Sequence, residues 1–162
     1  MTTAQRRSLW GLGLLFGYYA IDRWLPLGAW NGSTRFPVAN DQAVLDVVVL
    51  CVVAGLFAAT RYQIWPAMLV GTGLLALWCY FHATTWWLPY VSGVDTQREL
   101  QWREQFAGQL QLLPRWGTHI PPDAEHIAID VFVLAATVST AIATARATAS
   151  GLRRLWARRS PA

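Results

Sequence analysis

Four apolar runs, at about 8–27, 43–60, 66–88 and 123–145, restrict what this chain can fold into more than any other feature. Each is too long for an ordinary strand, and about twenty apolar residues in a helix match the hydrocarbon thickness of a bilayer. The run 43–60 (AVLDVVVLCVVAGLFAAT) is rich in β-branched residues that favour strands in water. In lipid, however, only a helix satisfies every backbone N–H and C=O within its own segment. Composition agrees, with 54% hydrophobic residues, 14% charged residues and ten tryptophans. The predicted fold is all-α: one integral membrane domain, a bundle of four transmembrane helices.

The connections add detail. Residues 28–42 (GAWNGSTRFPVANDQ) are turn-rich and polar and form a loop, with an Asn31-Gly32-Ser33 sequon that matters only in a secretory pathway. Arg61 to Trp65 is a short connector, so the second and third runs are antiparallel neighbours, and Pro66 suits the first turn of the third helix. Between the third and fourth runs, Thr96 and Glu99 have capping-box spacing. Leu100, Arg103, Phe106 or Ala107, Leu110 and Leu113 recur at helical spacing. They predict an amphipathic helix over 96–113, ended by Pro114, lying on the membrane surface or over the bundle end. Pro121-Pro122-Asp123 then stops the chain and caps the fourth helix, which leads into a basic tail at 146–162 suited to anionic headgroups.

Charge sets the orientation. With four spans and a cytoplasmic N-terminus, one side holds Arg6, Arg7, Arg61, Arg146, Arg153, Arg154, Arg158 and Arg159 and no acidic residue. The other side and its helix ends hold all nine carboxylates and the remaining five arginines. This is the positive-inside pattern. It predicts a multi-pass protein of the cell (inner or plasma) membrane with both termini cytoplasmic and an uncleaved first span. The basic residues lie beside spans instead of along one face, which argues against nucleic acid as a partner.

The same topology aligns ionisable groups. Asp22, Asp46, His82 and Asp130 each fall roughly 5 to 10 Å below the outer boundary on their respective helices, and His126 sits one turn above Asp130. A charge within a span is costly unless paired or hydrated, so such groups turn toward the bundle interior. Asp22, Asp46, His82, His126 and Asp130 are therefore the expected lining of an outward-facing polar pocket. His82, His126 and Asp130 are its candidate metal ligands, since imidazole and carboxylate suit a divalent ion such as zinc or manganese, and His126 and Asp130 share a helix face at i, i+4. The competing assignments are local. Asp22 pairs with Arg23 or Arg35, Asp46 caps a helix start, the histidines hydrogen-bond across helices, and His119 is either a solvated loop residue or folds over the site.

Other chemistry finds little support. There is no GxSxG, HExxH or phosphate-binding glycine loop, and two single histidines do not make a haem signature. Cys51 and Cys79 lie in apolar runs without a CxxC, which argues against a paired-thiol oxidoreductase. They are expected as two buried small hydrophobes, with an inter-helix disulfide as the alternative. The sequence therefore points to a small membrane protein whose outer pocket binds a metal ion or small polar ligand. Its alternatives are a non-catalytic accessory or assembly subunit with a membrane-protein partner, or a transporter or channel component acting as a homo-oligomer.

Overall fold

The computed structural model describes residues 1–31, 40–106 and 108–159. Among these residues the chain is helical, with no strand. The helices are α1 (Thr3–Trp24), α2 (Asn40–Tyr62), α3 (Trp65–His82), α4 (Leu88–Ser92), α5 (Thr96–Phe106) and α6 (Ala124–Arg159). The sequon residues Gly32 and Ser33, Arg35, and Ala107 of the amphipathic pattern lie outside the described residues, as do the side chains of Asp41, Gln105, Arg158 and Arg159.

Among the described residues, three stretches are long and apolar enough to cross a membrane: Gln42–Tyr62, Trp65–Ser92 and Ala124–Ala157. α1 has the length, but Ser8, two tyrosines, Asp22 and Arg23 dilute its apolar content. Its position explains how those groups are tolerated, because α1 packs along α6 and α2 while α3 packs along α6 and α2 from another side. Leu12, Leu15 and Tyr19 of α1 meet Val53 and Leu56 of α2, Leu75 of α3, and Ile129, Val133 and Ala136 of α6 in one buried core. A second apolar cluster of Ala4, Ala59, Met68, Ala143 and Ala147 packs against Trp65. Hydroxyl contacts supplement both, with Ser8 to Thr140 at 2.8 Å and Thr72 to Thr144 at 3.0 Å.

Small residues set how closely the helices approach. A Cβ on Gly11 would lie 3.2 Å from the Ala136 backbone and 3.0 Å from Ser139 Oγ, whereas one on Gly17 of the same helix would meet nothing within 4 Å. Gly11→Leu is therefore expected to wedge α1 from α6 and lower unfolding stability by about 1–3 kcal/mol. Thermal unfolding in detergent checks this, with Gly17→Leu as the substitution expected to change little.

Several boundaries differ from those expected. The amphipathic helix ends at Phe106, not at Pro114. Leu110 instead spends its backbone on tertiary pairing, its N–H donating to Ala29 O at 2.7 Å and its C=O accepting from Ala124 N at 2.8 Å. Gly108 at the break weakens helix continuation. The cap of α5 is Asp95, whose Oδ1 accepts from Arg98 N at 2.8 Å, and Glu99 turns to Arg103 and Arg115 instead of closing a capping box with Thr96. These two guanidinium groups hold the Glu99 carboxyl below its ordinary range. Leu100, placed on the apolar side by the pattern, is exposed.

The last helix also departs from expectation. α6 continues through Gly151 for 36 residues, about 54 Å, so most of the expected tail is helix. At Gly151 a Cβ would meet the Trp65 ring at 2.7 Å, so the glycine serves close packing here and not a chain break. Neither cysteine is a fully buried hydrophobe: Cys51 faces outward from α2, Cys79 is half-buried with Sγ 3.4 Å from Thr137 Oγ1, and both are free thiols.

Candidate functional site

The ionisable groups gather where α6 begins. Asp123 caps that helix, accepting the backbone N–H of His126 at 3.0 Å, and its two oxygens lie 2.8 and 2.9 Å from His126 Nδ1. One side chain thus satisfies an orphan helix donor and fixes an imidazole. Glu125, in the first turn and fully buried, reaches across to α1, where Arg23 Nη2 donates to its Oε1 at 2.7 Å. Arg23 Nε stands 3.7 Å from Asp22 Oδ2, within ion-pair range but too far for a hydrogen bond.

This arrangement has more negative charge than partners for it. Asp22, Asp123 and Glu125 stand against one guanidinium, with the N-terminal dipole of α6 offsetting part of the excess. Both carboxylate oxygens of Asp22 and Oε2 of Glu125 are buried without a hydrogen-bond donor among the described residues. Buried carboxylate oxygens are costly to leave unmet, so they call for a shared proton, a water or a cation. Asp123, Glu125 and His126 each offer a ligand atom within 4.8 Å of the others.

A turn further along α6 lies a second pair. Asp130 Oδ1 is 2.6 Å from His82 Nδ1, and its Oδ2 accepts from Trp87 Nε1 at 2.6 Å. His82 and Trp87 are five positions apart, which in an α-helix separates side chains by about 140° around the axis. Here a single π-helical turn, Ala83–Trp87, follows α3 and brings both donors onto Asp130. The same turn lays the Trp86 ring on the His126 ring, with centroids 3.6 Å apart, and the two imidazoles are 6.1 Å apart centre to centre.

The residues expected in one layer therefore divide among four clusters. Asp22 joins Arg23 and Glu125, His126 joins Asp123, and His82 joins Asp130. Asp46, fully buried, accepts from Tyr19 OH at 2.8 Å and Gln42 Nε2 at 3.1 Å. His126 and Asp130 do not act as a two-ligand pair from one face, because each is already engaged with a different partner. His119 is held by the Tyr90 carbonyl, 2.9 Å from its Nδ1, beside Trp116. Asp123, Glu125 and Arg23 matter more here than their sequence positions implied. Asp123 reads as a cap and Arg23 as a partner for Asp22, and only the antiparallel packing of α1 along α6 joins them to Glu125.

A cleft of about 660 Å³ opens beside these groups, lined by Tyr19, Arg23, His82 and His126 at one end and otherwise mostly by aliphatic residues of α2 and α3. Each histidine presents it with a free ring nitrogen, since among the described residues only Nδ1 of either ring is hydrogen-bonded. No family model, curated protein or solved structure matches the chain.

Proposed function

We propose that the chain is an integral membrane protein of four spanning helices that binds a divalent cation, zinc or manganese, in a pocket at the outer ends of α1 and α6. The single observation that carries this reading is the set of buried, donorless oxygens on Asp22 and Glu125 beside His126 and Asp123. Mixed carboxylate and imidazole donors suit those two metals. Carboxylate contacts to histidine, such as Asp123 to His126, recur around metal sites, where they fix which ring nitrogen is available. Membrane insertion is supported by the three apolar helices, with α1 packed against α6 and α2 and eight of the thirteen arginines toward the opposite end, where no carboxylate lies.

Metal analysis of protein purified in detergent tests the cation. Stoichiometric zinc or manganese is expected, with affinity falling at least about tenfold in Glu125→Gln and in His126→Ala, the scale of loss seen when metal-site residues are altered. Metal-free protein whose thermal stability ignores added zinc and manganese overturns the reading. It would leave a proton shared between Asp22 and Glu125 as the explanation of the orphan oxygens.

A further inference from the structure

The cation site leaves most of the 660 Å³ cleft unexplained. α2 and α3 pack tightly near their connector, where a Cβ on Gly71 would collide with Leu56 at 2.7 Å. Toward the far end they part, and Leu45, Val48, Leu74, Leu77 and Phe81 line the cleft while remaining about half exposed. In the bilayer reading on which this inference rests, that flank faces hydrocarbon, so the cleft is open sideways to lipid and closed at its polar end by His82, His126 and Arg23. The volume falls within the range of small-molecule sites, about 300–1,000 Å³.

The polar end also selects a head group. Nδ1 of His82 is engaged by Asp130 Oδ1 at 2.6 Å, which leaves Nε2 as the ring position open to a ligand, and a hydroxyl, being both donor and acceptor, pairs with it. Arg23 offers no attraction to an anion, because Glu125 and Asp22 already flank its guanidinium. Five carboxylates, Asp22, Asp46, Asp123, Glu125 and Asp130, lie on or against this end beside one guanidinium, so an anionic head meets excess negative charge even with a divalent cation bound. We infer that the cleft is a lateral binding site for a long-chain amphiphile with an uncharged hydroxyl head, the chain lying between α2 and α3 and the hydroxyl hydrogen-bonded to His82 Nε2.

Photolabelling of the full chain in lipid nanodiscs tests this, using a diazirine-bearing hexadecanol with unlabelled hexadecanol and palmitate as competitors. Adducts are expected on residues 45–53 and 74–82, with hexadecanol competing at least tenfold better than palmitate. Val48→Trp, which fills the cleft from its exposed side, is expected to cut labelling at least fivefold. His82→Phe, which keeps the ring volume, is expected to retain labelling but bring the two competitors to parity. Labelling spread evenly over lipid-facing helices, or palmitate competing as well as hexadecanol against the unsubstituted chain, overturns the proposal. Metal content measured on the same samples separates the two readings: Glu125→Gln is expected to lose the cation and keep labelling confined to residues 45–53 and 74–82. Selective labelling of metal-free protein would remove the cation and leave the amphiphile site standing.

Discussion

Arg23→Ala is expected to be the most damaging single substitution in the chain, costing about 3–5 kcal/mol of unfolding free energy, the range for leaving buried charge uncompensated. The side chain is one-fifth exposed while the Glu125 side chain is fully buried. Removing the guanidinium strands two carboxylates, Asp22 and Glu125, that have no other cation in contact among the described residues. Glu125→Ala is expected to cost less, because Arg23 retains Asp22 at 3.7 Å. The double substitution Arg23→Leu with Glu125→Leu is expected to recover part of the loss, since it removes one of the two stranded carboxylates and leaves Asp22. Chemical and thermal unfolding in detergent give the ranking. Added zinc or manganese is expected to stabilise Arg23→Ala more than the unsubstituted chain, because the cation replaces the missing counter-charge. If Arg23→Ala unfolds within about 1 kcal/mol of the parent, as expected for a surface ion pair, the network does not hold these helices together.

The second large effect is expected at Asp130. Its two oxygens accept from His82 and Trp87, one on each side of the π-helical turn, so Asp130→Ala removes both bonds and leaves two donors partly buried. Hydrogen bonds between membrane helices are modest individually, and the pair together is expected to contribute about 2 kcal/mol. Without that clamp the five-residue turn has no side-chain reason to persist, and the amides of 83–87 are expected to exchange faster. Hydrogen exchange followed residue by residue distinguishes this from general loosening. Asp130→Asn should fall between, because one of its positions becomes a donor and faces the donor of His82 or Trp87. Unchanged exchange at 83–87 in Asp130→Ala would show that the turn is set by backbone and packing alone.

The long helices were legible because unbroken apolar length is a one-dimensional property: the runs at 43–60 and 123–145 each became the heart of a longer helix, and 66–88 is helical throughout as α3, the π-helical turn and the start of α4. Their ends were less legible. Leu110 and Leu113 keep helical spacing with Leu100, yet the backbone of Leu110 is claimed by Ala29 and Ala124, residues distant in sequence. The basic residues beyond Arg146 read as a tail, and helical propensity with Trp65 packing on Gly151 carries the helix past them. At the site, depth along each helix placed Asp22, Asp46, His82 and Asp130 at similar levels, but depth says nothing of rotation about the axis. Rotation decided that Asp130 faces His82, that His126 turns to Asp123, and that Asp46 turns to Tyr19. The π-helical turn that aligns Trp87 with His82 is a shift of hydrogen-bond register over one turn, which no side-chain pattern in ATTWW announces.

The unbroken length of α6 makes the two ends of the molecule mechanically one piece. Asp123, Glu125 and His126 sit in or beside its first turn, and Arg153 and Arg154 near its last. A straight helix of 36 residues swings its far end by about 1 Å for each degree of tilt at the near end. A change of one or two degrees in the tilt of α6 where Arg23 meets Glu125 corresponds to about 1–2 Å at the opposite end, large enough to remake or break a hydrogen bond, and the packing of α1 along α6 as far as Ala147 opposes it.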